Sequence, residues 1–146
     1  MRLWHIDLLP YLPDAQFKSQ LRELVAIMHD WRDKGKTNHL LINRVMEYDK
    51  DELVTYFLRY RIEYLMRYKK DVKQSLTQEF VEFGGNKKEY PDRIFAGWHN
   101  KNYLRICMSN LYEKFAYGMG KSQISVFEWY KLCEGYKAIT GEEYQI

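Results

Sequence analysis

The chain has 146 residues and a net charge of +3. That length suits one domain over residues 1–146, able to bury roughly two thirds of the surface its unfolded form would expose. The charge balance excludes an acidic protein and permits a locally basic groove. Brief apolar runs broken by Arg2, His5, Asp7 and Pro10 argue against a signal peptide, and no run approaches the roughly 18 to 20 apolar residues of a membrane span.

The expectation is therefore a soluble, cytoplasmic protein with no membrane partner. Cys107 and Cys133 lack metal-site spacing and read as reduced thiols. Thirteen Tyr and four Trp pack cores, and when interleaved with Lys and Arg such rings also form surfaces on which bases stack.

Residues 1–13 read as an ordered arm. Pro10 and Pro13 prevent a long first helix, while Leu3, Trp4, Ile6, Leu8 and Leu9 supply anchors. A helix from Asp14 to Gly35 follows, with Asp14 suited to its start and Gly35 to its end. Phe17, Leu21, Leu24, Val25, Met28 and Trp31 fall on one stripe at 100° per residue. Glu23 projects away from that stripe with Arg22 on the next row, a position whose default is a solvated face. Asn38 to about Tyr48 predicts a short helix through Leu41, Ile42, Val45 and Met46, and Asp49 or Asp51 caps another that runs to about Lys70.

That helix carries Tyr56, Tyr60, Tyr64 and Tyr68 at four-residue steps and is apolar around most of its circumference, which marks the middle of a helical protein. Val72 to Phe83 continues it up to Gly84-Gly85. Residues 86–99 lack periodicity and predict a basic, exposed loop. The segment from about Asn100 to Tyr117 sets Leu104, Cys107, Met108, Leu111 and Phe115 on one stripe, with Asn110 and Lys114 on one flank. Val126 to Tyr136 forms the last helix. The fold class is all-α: a compact bundle of about four to five helices, its amino-terminal arm packed between them.

Four scattered histidines, and the lack of HxxxH, HExxH or CxxC spacing, predict no metal. The missing GxGxxG and GxxxxGK[ST] motifs predict no nucleotide cofactor. What remains is an amine and a carboxylate. A neutral amine attacks a sugar or carbonyl carbon to form an imine, and α-amino groups have the lowest reference pKa among amines, about 7.7 to 8.0. Met1 is thus a credible nucleophile, and a carboxylate such as Glu23 beside it could move protons and stabilise the cationic imine.

Several short motifs occur in a telling order. A basic residue follows the start (Met1-Arg2-Leu3-Trp4-His5). Leu21-Arg22-Glu23-Leu24 lies on the first helix, Leu111-Tyr112-Glu113-Lys114 on a later one, and Trp129-Tyr130-Lys131 near the end. The set resembles the phage-type pyrimidine-dimer DNA glycosylase/AP lyase, the UV-damage endonuclease V type, and the opening residues look still more like the bacterial pyrimidine-dimer excision branch. The resemblance implies a compact all-helical monomer acting on double-stranded DNA with damaged or modified bases, without metal or cofactor. It also implies an α-amine that attacks C1′ of the damaged nucleotide, displaces the base through a Schiff base, and nicks the strand by β-elimination.

Carried over by position, Met1 supplies the amine, Glu23 is the acid/base, and Arg2 and Arg22 hold phosphates or substrate. Lys114, Trp129, Tyr130 and Lys131 would contact backbone and damaged bases. Asn110 stands where the family has an arginine, and Val25-Ala26 where it has Pro-Arg; each lost charge contact should lower affinity and flatten its salt dependence. The bulk of Arg2 would usually block removal of the initiator Met, so either Met1 itself carries the amine or lyase activity is weakened. The competing expectations are a non-catalytic module that binds kinked or damaged duplex, and a helical protein-interaction domain.

Overall fold

A computed structural model describes all 146 residues as an all-α chain. Its five α-helices are α1 (Asp14–Lys34), α2 (Lys50–Tyr68), α3 (Gln74–Phe83), α4 (Lys101–Ala116) and α5 (Val126–Thr140), with short 3-10 helices at Ile6–Tyr11, Ile42–Glu47 and Gly120–Ser122. No helix is long and apolar enough to cross a membrane. Two compact units can be distinguished: one holds Met1–Leu3 and Leu21–Ala96, the other Trp4–Gln20 and Gly97–Ile146.

The helix ends follow local chemistry. Glu52 accepts from the Asp49 N–H at 3.3 Å at the start of α2. Asn100 Oδ1 accepts from the Tyr103 N–H at 2.9 Å at the start of α4. Before α5, Ser125 and Glu128 form a reciprocal pair, Glu128 N to Ser125 Oγ at 3.2 Å and Ser125 N to Glu128 Oε1 at 2.9 Å. Such pairs satisfy N–H groups that have no partner in a helix's first turn.

In the first unit, α2 and α3 pack through face-to-face Phe57 and Phe80, ring centres 4.1 Å apart. Trp31 of α1 meets Phe83 edge-on at 5.4 Å. Of the tyrosine row, Tyr56 and Tyr60 are fully buried, so its first half is scaffold. Residues 86–93 are mostly exposed, as expected of that loop, and the departure is confined to the residues that follow. Ile94 and Phe95 are buried, the Phe95 N–H donates to Glu52 Oε1 at 2.7 Å, and the Tyr48 hydroxyl donates to the Ala96 carbonyl at 2.6 Å. Two apolar residues are enough to pin a segment that has no helical period.

The segment expected as a helix from Asn38 to Tyr48 is instead a turn followed by the 3-10 helix Ile42–Glu47. Side chains of Thr37 and Asn43 capture the backbone there, offering it an alternative to helical bonds. Leu41, expected on the buried stripe, is consequently exposed.

In the second unit the arm is ordered, as its anchors predicted. Leu8, Leu9 and Leu12 are buried, and the 3-10 helix Ile6–Tyr11 packs on α5. The approach is close enough that a Cβ on Gly135 would lie 2.4 Å from the Tyr11 ring. Between α4 and α5, Phe115 stacks on Trp129 with ring centres 5.5 Å apart.

Candidate active site

Glu23 lies on α1 beside the buried Leu24, but it is not on the solvated face expected of its position. Burial of its carboxyl raises the pKa above the ordinary value. The Met1 ammonium, the Arg2 backbone N–H, which donates to the carboxylate, and the charges of Arg2 and Arg22 oppose that rise in decreasing order. Leu3 is fully buried and fixes the arm next to residues 1 and 2. Met1 remains 38% exposed, so its end of the pair can be reached from solvent.

Met1, Arg2, Arg22 and Glu23 therefore gather in one unit, with the terminal amino group acting on a desolvated carboxylate. A carboxyl pushed toward its neutral form is better suited to give up and take back a proton, the requirement for general acid–base work. No three His, Cys, Asp or Glu side chains are grouped to hold a metal ion.

The remaining residues singled out in the sequence belong to the other unit. On α4, Lys114 is half-buried, and Asn110 turns its amide back to the Ile106 carbonyl at 3.1 Å. Tyr130, 65% exposed, and Lys131 stand on the solvent side of α5. Trp129 does not join them. It is buried against Phe115, Tyr112 and Tyr144, and so anchors α5 rather than offering a ring face for a base to stack on.

Sequence reasoning passed over four polar residues that tie this unit together, three of them at the arm. Gln20, fully buried, accepts from the Trp4 N–H at 2.8 Å, and Gln16 donates to the Ser122 carbonyl at 3.0 Å. Both share a helical stripe with Phe17, which was the available signal. His5 Nδ1 accepts from the Asp7 N–H and His99 Nδ1 from the Ile6 N–H, each at 3.1 Å. Nothing in the spacing of residues 5 and 99 could have announced that pairing.

The fold and the site define an all-α protein whose amino-terminal arm brings its terminal amino group within electrostatic reach of a partly buried carboxylate. The family model for pyrimidine dimer DNA glycosylase matches residues 1–76, over half the chain and all of the segment bearing Met1, Arg2, Arg22 and Glu23. The chain belongs to that family, whose members are DNA repair enzymes acting on damaged DNA. Comparison with curated proteins and with solved structures returned no match.

Proposed function

We propose that the protein is a DNA glycosylase with AP lyase activity, acting on pyrimidine dimers or another damaged or modified base through an imine at its terminal amine. The single observation that carries this reading is the Met1 amino group within electrostatic reach of the half-buried carboxyl of Glu23. In the proposed reaction the neutral amine attacks C1′ and the C1′–N bond to the base breaks, with the electron pair leaving on the base. A proton reaches the departing base, and loss of the amine proton with opening of the sugar gives the imine. Removal of a C2′ proton then expels the 3′ phosphate by β-elimination.

Glu23 suits the proton transfers because burial brings its neutral and charged forms closer in energy. Its charged form would stabilise the cationic imine by direct electrostatics. Arg2 and Arg22 carry charge appropriate to phosphate contacts. On the second unit, Lys114, Tyr130 and Lys131 would contribute backbone and base contacts, and bending or unstacking would be easiest at lesions whose pairing is already weak. The protein would act as a monomer and without a metal.

The test is borohydride trapping on duplexes containing an abasic site or a pyrimidine dimer, read by mass spectrometry. A covalent adduct on the Met1 nitrogen is the expected result. Salt-sensitive binding without any adduct on either lesion would overturn the catalytic reading in favour of a non-catalytic binder of kinked duplex.

A further inference from the structure

Residues 37–43 of the first unit form a braced turn. Thr37, itself buried, donates from its N–H and its hydroxyl to Asn43 Oδ1 at 2.7 and 2.8 Å. Asn43 Nδ2 answers with a bond to the Thr37 carbonyl at 3.2 Å. The His39 N–H donates to the Thr37 hydroxyl oxygen at 3.0 Å, and the Ile42 and Asn43 N–H groups converge on the His39 carbonyl at 3.0 and 3.2 Å. Ile42 and Val45 then anchor the base of the turn in the core.

Between these clamps Leu40 and Leu41 are 87% and 85% exposed. A turn fixed at both ends that holds two adjacent leucines in water keeps them in a disposition suited to insertion elsewhere. Two leucines offer far less than the roughly 800 Å² per partner of a stable protein interface. The depression beside them, about 430 Å³ and lined by Leu40, Leu41, Asn43, Arg44 and Glu47, is shallow and open.

Charge decides which partner fits. No acidic residue occurs between Asp33 and Glu47, whereas Lys36, Arg44 and Lys34, the last paired with Asp30 at 3.6 Å, do. The Arg44–Glu47 pair is exposed and loose at 3.8 Å, a contact that a phosphate can displace. Protruding apolar side chains flanked by cations suit a stacked polyanion: the cations hold phosphates, and the apolar tip enters between base steps.

We infer that the Leu40–Leu41 turn is an apolar wedge that enters duplex DNA and unstacks a base step. The inference rests on the reading of the protein as a glycosylase and adds to it the element that opens the duplex.

The test uses the whole protein and a lesion-containing duplex with 2-aminopurine at the partner position, whose fluorescence rises when it unstacks. Wild type and Glu23→Gln should both raise the signal. Leu40→Ala/Leu41→Ala should lose most of it, with affinity for this duplex reduced about tenfold, as removal of an unstacking wedge predicts. On a duplex that lacks the partner base, where no stack remains to be opened, the same variant should bind within about twofold of wild type. A wild-type signal from the double variant would overturn the wedge, as would an equal loss of affinity on both duplexes. So would a change from dimer to monomer in sedimentation with fluorescence unaltered, which would assign the leucines to a second copy of the chain. A wild-type protein that unstacks 2-aminopurine but forms no imine on any lesion leaves the wedge standing and defeats only the glycosylase reading.

Discussion

The backbone N–H of Arg2 donates a hydrogen bond to the carboxylate of Glu23. A main-chain donor survives every substitution at position 2 except proline, so the arm is tied to α1 by a contact that does not need the arginine side chain. The tie also places the Met1 amino group, one residue away, within electrostatic reach of the same carboxylate.

Replacing Glu23 with Gln should reduce base excision by about 10²- to 10⁴-fold, the usual contribution of a positioned acid–base group. Stability should move the other way. Burial raises the folded pKa of Glu23 above its ordinary value, so across the window between the two values the folded chain binds more protons than the unfolded chain. Stability therefore falls as pH rises through that window. Glu23→Gln should melt higher than wild type at pH 7, and the difference should shrink to nothing below the ordinary carboxylate range. Thermal unfolding at a series of pH values checks both signs.

Two residues added before Met1 should abolish the borohydride adduct, because the α-amine would no longer stand beside Glu23. Binding to a lesion-containing duplex should fall by less than about tenfold, since phosphate contacts from Lys and Arg side chains do not depend on the amine. Gel-shift titration alongside trapping measures the two effects separately.

The 3-10 helix Ile6–Tyr11 should loosen in acid. His5 is kept neutral chiefly by burial, which lowers its pKa, against the opposing pull of Asp7 and a bond from its ring to the His99 carbonyl. Its Nδ1 can accept from the Asp7 N–H only while that nitrogen is unprotonated. Because the folded value lies below the unfolded one, stability is lost as pH falls through the ordinary histidine value toward the lowered one. Hydrogen exchange of the Asp7 amide should accelerate over that interval, and His5→Asn, which keeps a capping acceptor, should flatten the response.

On α5, neighbouring aromatics should behave oppositely. Trp129→Ala removes a buried ring and should cost about 3 to 5 kcal/mol of stability. Tyr130→Ala, at a site 65% exposed, should change stability by less than about 0.5 kcal/mol while weakening DNA binding if the ring stacks on a base. Chemical denaturation paired with a binding titration separates them.

Gly135→Ala should destabilise by about 1 to 3 kcal/mol, the cost of overpacking, because its Cβ would fall 2.4 Å from the Tyr11 ring. Tyr11→Ala in the same background should recover part of that loss, as coupled neighbours do in a double-mutant cycle.

The order of elements was readable from the chain alone, because helical periodicity, capping side chains and glycine stops are local signals. Asp14 and Gly35 bracketed α1 correctly, and the stripe of Leu104, Cys107, Met108 and Leu111 is the buried face of α4. The pairing of a terminal amine with Glu23 could be named from residue chemistry and from the resemblance of short motifs. Its setting could not, since a helical wheel put Glu23 on a solvated face. Only the folded arm brings the Arg2 N–H and the Met1 ammonium to it, and only folding half-buries its carboxyl. The same limit explains Leu41, Trp129, Gln20 and His99. Periodicity reports which residues share a side of one helix, whereas desolvation and hydrogen bonding between residues distant in sequence depend on what the rest of the chain lays against that side.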